Sequence, residues 1–150
     1  MITNRLLLSG EVELLRDMLI LLADYHNSVA EYKDVSYPAR DINETITEMD
    51  EGIKTGKYMV NACFDDETPI AFCSIGIDKK GSCGELKYLF VRETHRKNGL
   101  GELLMKWALC EFDKSGIGLV DIRVVVGNPA LAFYERYGFK PRITVISRKG

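Results

Sequence analysis

The chain has 150 residues, 46% hydrophobic and 28% charged, with a formal net charge of -2. Such a composition excludes a disordered or fibrous chain, and it fits one domain over residues 1–150 that buries about two-thirds of its unfolded surface without a disulfide or metal. A charge so near zero supplies no long-range field for nucleic acid, although a local basic spot can still hold a small anion. Cys63, Cys73, Cys83 and Cys110 form no C-x-x-C pair and have no histidines at zinc spacing. They read as small apolar fillers in a reducing cytoplasm, with no metal site. The amino terminus turns acidic too soon for a signal peptide, and "MLILLA" is too brief to span a bilayer.

In chain order, residues 2–8 predict a first strand. From residue 10 to about 32, Leu14, Leu15, Met18, Leu21, Leu22 and Tyr25 recur at helical spacing, with Ser9 placed to cap the start. "DVSYPARD" interrupts this helix. Ile42, Ile46, Met49 and Ile53 mark a second one, and Gly56 can end it. The period then changes. "YMVNACF" and "PIAFCSIGI" read as strands of a hairpin joined through "DDET", and after the turn "KKGSCG" a third strand is "ELKYLFV". A glycine loop, "RKNGLG", opens a helix over residues 99–114 with Leu100, Leu103, Leu104, Trp107 and Ala108 on one face. In "LVDIRVVV", Val120, Ile122, Val124 and Val126 alternate with polar residues as a strand does. Asn128 and Pro129 fit the cap and first turn of a short helix through Tyr137, with Gly138 at its end. "RITVISR" predicts a last strand. The order β-α-α-β-β-β-α-β-α-β is that of an α/β domain on a mixed central sheet flanked by helices.

The glycine loop carries the chemistry. A strand that runs into a glycine turn and then a helix aims unpaired backbone N–H groups at one point, with the positive end of the helix dipole behind them. That point attracts a phosphate. Gly99 and Gly101 let the main chain approach a ligand, and Arg96 and Lys97 can supply charge-assisted bonds. Glycines kept only for turn geometry are the plainer alternative. A P-loop is excluded because G-x-x-x-x-G-K-[ST] is absent. A dinucleotide fingerprint fails because Leu104 stands where its third glycine belongs.

The pattern R/Q-x-x-G-x-G/A, five residues after the aliphatic Val91, resembles the acetyl-coenzyme A loop of the GCN5-related N-acetyltransferase (GNAT) family. A second block, "GNPALAFYERYGF", resembles that family's later segment, in which an Asn precedes a short helix bearing a Tyr and ending in G-F. The two blocks cover residues 85–141. One departure is Glu93, where many members have proline.

The resemblance implies a GNAT-like fold and an N-acetyltransferase that moves an acetyl group from acetyl-coenzyme A to a primary amine by direct attack in a ternary complex. It implies that the backbone of Leu89, Phe90 and Val91 pairs with the pantetheine arm like an added strand. Arg96, Lys97, Asn98, Gly99, Leu100, Gly101 and Glu102 would surround the pyrophosphate. Tyr134 matches the family's general acid for the leaving thiolate, and a phenol with a pKa of about 10 holds its proton at neutral pH. A core aromatic between Phe133 and Tyr137 is the alternative. Asn128 matches a residue that bonds the pantetheine arm, and it can serve as an N-cap as well. Glu85, eleven residues before Arg96, stands where histone-modifying members place their general base. A solvated strand glutamate is its alternative, with Tyr88 or a water chain as the substitute base. The oxyanion would fall to backbone N–H near Leu89. Histidine as a residue type titrates near neutrality, so His26, at the end of a helix face, and His95, beside Arg96 in the loop, are minor candidates for catalysis.

Acceptor pockets in this family usually come from the first two helices and their connection. Here that stretch holds Glu31, Asp34, Asp41, Glu44, Glu48, Asp50 and Glu51 against Lys33, Arg40 and Lys54. The excess suits a cationic amine or is simply a solvated face. Polyamine, peptide N-terminus, lysine and aminoglycoside all remain open as acceptors. A non-catalytic acyl-coenzyme A sensor is the rival from another class, and a nucleotide-binding regulator is a third. Many relatives pair through their sheets, so a homodimer is also expected; no nucleic acid or membrane partner is.

Overall fold

The computed structural model describes residues 1–29, 41–78, 80, 82–148 and 150, in the order β-α-α-β-β-β-α-β-α. Strand β1 is Ile2–Leu6, and a 3-10 turn over Val12–Leu15 leads into helix α1, Arg16–Val29. Leu15, Met18, Leu19 and Leu22 form its buried stripe. Leu14, Leu21 and Tyr25, expected on that stripe, face outward at 45%, 46% and 40% exposure, because the 3-10 entry rotates the helix face. Ser9 does not cap this start: its hydroxyl donates to the Asp50 carbonyl. The cap comes instead from the second helix, where Asp50 Oδ1 accepts from Gly10 N at 2.8 Å and Val12 N at 3.3 Å. The expected end of α1 and most of "DVSYPARD" lie outside the described residues.

Helix α2, Ile42–Thr55, begins where Asp41 accepts from Asn43 N at 2.6 Å. It ends at Gly56, whose φ of +79° is the left-handed closure that glycine accepts without strain. Strands β2 (Tyr58–Asp65) and β3 (Thr68–Asp78) pair antiparallel around a turn tighter than "DDET", since Asp65 already faces Thr68. Strand β4 (Cys83–Val91) follows, then helix α3 (Leu100–Lys114), strand β5 (Leu119–Ile122) and helix α4 (Ala130–Glu135).

The sheet order is β1-β2-β3-β4-β5, antiparallel throughout except for the parallel pair β4/β5. Period-two alternation divides it into two faces. On one, Val60, Ala62, Phe72, Tyr88 and Phe90 pack under α1 and α2. On the other, Cys63, Cys73, Ile75 and Leu86 pack against Leu104, Met105, Ala108 and Phe112 of α3. Each large side chain so buried contributes about 1.5–3 kcal/mol. Leu103, expected on the inner face of α3, is 44% exposed, while Met105 and Phe112 point inward instead.

Two features of β4 position the site. Its ladder to β3 slips so that Ser74 faces Tyr88 and Ile75 faces Leu86, leaving Lys87 as the extra residue of a bulge. Its ladder to β5 runs only from Cys83↔Leu119 to Leu86↔Ile122, while β4 itself continues to Val91.

The carboxyl-terminal part departs from expectation. The strand through "LVDIRVVV" stops at Ile122, and Val126 is 90% exposed. No described residue after Ile122 is in a strand, so the expected "RITVISR" strand is not formed. Ile143, Val145 and Ile146 are exposed, so that segment has neither a ladder partner nor a buried face. Arg142 still ties it to β5, through bonds to both oxygens of Asp121 at 3.2 and 2.6 Å.

Candidate active site

The β4/β5 ladder ends at Leu86 and Ile122, and beyond it the backbone of residues 88–91 keeps β3 on one side and, among the described residues, has no ladder partner on the other. Leu89 and Val91 lie half-buried toward α3, Phe90 toward α1 and α2. An unpaired edge of this kind is a template for an extended chain that adds as a strand.

The loop begins directly at the end of that edge. Arg92 N donates to the Ile70 carbonyl at 2.8 Å, and Glu93, in place of proline, opens a single 3-10 turn, Glu93–His95. Arg96 folds back so that its Nε donates to the Val91 carbonyl at 3.0 Å, bracing loop against strand. Lys97 (φ +68°) and Gly99 (φ +78°) both take left-handed backbone, turning the chain into α3. No side chain caps α3, and its first intrahelical bond is Leu103 N to the Gly99 carbonyl. The N–H groups of Leu100, Gly101 and Glu102 therefore point outward with no intrahelical acceptor, which is what an anion requires. A Cβ on Gly101 would meet the Phe133 ring at 3.7 Å, an ordinary van der Waals contact, so a methyl fits there without a clash. Glu102 is engaged with Lys106 at 2.7 Å, which holds its carboxyl below the usual range. Asn98 is exposed in the loop.

Tyr134 belongs to the α3 face of the sheet, within an aromatic group whose ring centroids lie 5.6 Å away at Phe133 and 6.3 Å at Phe139. Burial pushes its phenol up to about 12, and the neighbouring Cys73 adds to the shift. Asn128 is buried, with Oδ1 accepting from Ala130 N at 2.9 Å and, at a longer 3.5 Å, from Tyr25 OH of α1. It thus acts as the cap that its place before Pro129 predicts.

Glu85 is on the other face. It lines an open groove of about 880 Å³ with Glu48, Tyr58, Lys87, Asp121 and Arg123. Glu85, paired in register with Asp121, and Tyr134, in the α3-face cluster, thus belong to opposite faces of the sheet. Tyr88 is 4% exposed and pushed up to about 12 by burial, so it holds its proton and makes a poor substitute base. His95 is half-buried, bonded through Nε2 to Asp65 at 3.0 Å and through Nδ1 to Thr94 at 2.8 Å. Much of the acidic excess in the first two helices is engaged within the fold: Asp41 caps α2, Asp50 caps the entry to α1, and Glu48 contacts Tyr58 and Lys87. Glu31, Lys33, Asp34 and Arg40 lie outside the described residues. Sequence reasoning missed Tyr58, Lys87 and Arg123, because a bulge carries no composition signal.

A mixed sheet in which β5 ends at Ile122 while β4 runs on to Val91, beside a helix start with no side-chain cap, offers an open strand edge next to anion-receptive N–H groups. The model of the acetyltransferase (GNAT) family matches residues 20–139. The chain belongs to this family, and its class is that of an acetyl-coenzyme A-dependent N-acetyltransferase. Its fold is similar to that of PaiA N-acetyltransferase from Thermoplasma acidophilum in complex with coenzyme A (20% identity, 97% of this chain and 93% of that one, TM-score 0.78). A GCN5-related N-acetyltransferase from Ralstonia eutropha is likewise similar (19%, 99% of each chain, TM-score 0.71). So is a predicted acetyltransferase with acetyl-CoA from Clostridium acetobutylicum (15%, 99% and 96%, TM-score 0.76). No curated protein matches the sequence.

Proposed function

We propose that this single domain transfers an acetyl group from acetyl-coenzyme A to a primary amine by direct attack within a ternary complex. The observation that carries the reading is the β4 edge left open beyond Leu86, continuous with the uncapped start of α3. The residues fit the cofactor: the backbone of Leu89, Phe90 and Val91 would receive the pantetheine arm as a strand, and Asn128, whose Oδ1 accepts from Ala130 N, would offer it the donor end of its amide. Residues 96–102 hold the pyrophosphate through backbone N–H groups and the cations of Arg96 and Lys97. Bound acetyl-coenzyme A supplies an activated thioester carbonyl. Glu85, from the groove side, takes the proton of the attacking amine, directly or through water. A backbone N–H near Leu89 would stabilise the carbonyl oxygen as it gains charge. Tyr134, from the α3 side, gives its proton to the departing sulfur. No step in this scheme calls for a metal.

Retained acid and base positions on either side of the gap favour turnover over a sensing role. The test is a broad amine panel, with polyamines, lysine peptides, peptide N-termini and aminoglycosides, followed by free thiol release. Tight coenzyme A binding with no acceptor-dependent thiol release would give way to the sensor. The same reading places the protein in a reducing cytoplasm, in keeping with four unbridged cysteines, and among the described residues no helix is long and apolar enough to cross a membrane. It also includes a homodimer, supported by exposed Ile143, Val145 and Ile146 beside the edge strand β5.

A further inference from the structure

Lys87 is the extra residue of the β4 bulge and also the first residue past the last β4/β5 pair. Its ammonium is held on the groove side. Lys87 Nζ donates to Tyr58 OH at 3.2 Å, Tyr58 OH donates to Glu48 Oε1 at 3.1 Å, and Lys87 and Glu48 approach to 3.5 Å. Lys87 also lies 4.8 Å from the centroid of the Tyr58 ring. Burial works to lower the Lys87 pKa, but the bond to Tyr58 and the charges of Glu85 and Glu48 outweigh it, so the lysine stays charged.

The tyrosine that receives this lysine is itself fixed. Tyr58 is 6% exposed, and its ring fills the space two glycines leave open: a Cβ on Gly52 of α2 would sit 1.9 Å from the ring, and one on Gly76 of β3 would sit 3.0 Å from it. Helix α2, strands β2 and β3 and the bulge of β4 thus meet at one side chain. A bulge bends and twists its strand, and here it falls where β4 and β5 part.

We propose that Glu48, Tyr58 and Lys87 form a positioning clamp that holds the bulge in place and so keeps the β4 edge of residues 87–91 open to the pantetheine arm. This rests on the cofactor placement above. None of the three is a catalytic residue; they act through the strand. Loss of the clamp lets the bulge relax, with β4 turning its edge away from the arm while the phosphate loop keeps its shape.

The test compares two ligands by calorimetry: coenzyme A, and 3′-phosphoadenosine 5′-diphosphate, which has the pyrophosphate but no pantetheine arm. Tyr58→Phe keeps the ring in its seat and removes the hydroxyl; Lys87→Met removes the cation from the same contact. Each is expected to weaken coenzyme A by about fivefold or more, with the nucleotide held within about twofold of the parent, and the double variant to be no weaker than the poorer single one. Faster amide exchange at residues 87–89 should accompany the loss. Coenzyme A affinity kept within twofold in both variants overturns the clamp, as does equal weakening of both ligands, which means general loosening. If Tyr58→Phe does not fold, Lys87→Met alone decides by the same two affinities. A parent that binds the nucleotide but gains nothing from the pantetheine arm overturns the strand-edge placement, and one that binds neither overturns the loop as well; both take the clamp with them.

Discussion

Tyr134 is surrounded by Phe133, Phe139 and Cys73, so removing its oxygen costs little packing and much chemistry. Tyr134→Phe should lower turnover by about 10²- to 10⁴-fold, the usual worth of general acid catalysis, with coenzyme A affinity nearly unchanged and stability lowered by no more than about 1 kcal/mol. Steady-state rates and binding on parent and variant decide it; a rate within about twofold of the parent returns Tyr134 to a packing role. The raised pKa sets the sign of a second effect. Tyr134 and Tyr88 are both moved from 10.0 to about 12 by burial, so each favours the fold fully below pH 10 and loses that contribution as pH rises toward 12. Tyr134 therefore keeps its transferable proton across any ordinary assay. Glu85→Gln should reduce turnover most below the acceptor amine's own pKa, where free amine is scarce, with cofactor affinity kept; a flat ratio to the parent across pH removes Glu85 from the chemistry. At this scale the sequence was readable where a residue type fixes a local contact, as at Asn128, whose side chain accepts from Ala130 N at the start of α4. It was silent at Lys87, since the place of that lysine follows from a one-residue slip against β3 that only the paired strands display.

Elements follow local rules where caps and periodicity agree. Helix α2 shows this, with Asp41 at its start and Gly56 at its end, both foreseeable from residue type. The loop into α3 is similarly local, and it yields a sharp test. Because a Cβ on Gly101 meets nothing closer than 3.7 Å, Gly101→Glu should start without a clash and leave the fold intact, and on the proposed placement its carboxylate would oppose the charge of the phosphate and repel the ligand. Coenzyme A binding should vanish while the melting temperature holds; binding as tight as the parent would refute the loop assignment. Gly52 behaves in the opposite way. Its missing Cβ is space that the Tyr58 ring already occupies, so Gly52→Ala forces apart α2 and β2 and should cost about 1–3 kcal/mol or more, read as a lower denaturation midpoint. No helix-propensity argument anticipates that cost, since alanine is the better helix former. The unformed strand over residues 142–148 marks the limit of local reading. Its alternation is strand-like, but alternation needs a neighbour to pair with, and β5 offers only four residues, paired to β4 on one side.

For the whole molecule, the net charge of -2 sets no direction of approach, so on the proposed placement coenzyme A would be drawn by the loop alone, and its binding should weaken as salt rises. The order of helices and strands through residue 135 was legible because apolar period, caps and turns agree along the chain. The division of labour between faces was not, because it depends on which side of β4 each residue meets after the bulge. Glu85 and Tyr134 end on opposite faces as a result.

On the proposed scheme that arrangement makes the sheet a partition, with the open edge of β4 as its slit. Donor and acceptor would reach it from different sides, so neither would stand in the other's doorway, and a spent donor could leave without the product of the acceptor leaving first. The consequence is kinetic. A dead-end acceptor analogue should compete with the amine yet be noncompetitive against acetyl-coenzyme A, the pattern of two independent entrances. An uncompetitive pattern would mean that the groove beside Glu85 takes shape only after the slit is filled, and the partition would then act as a sequence of locks.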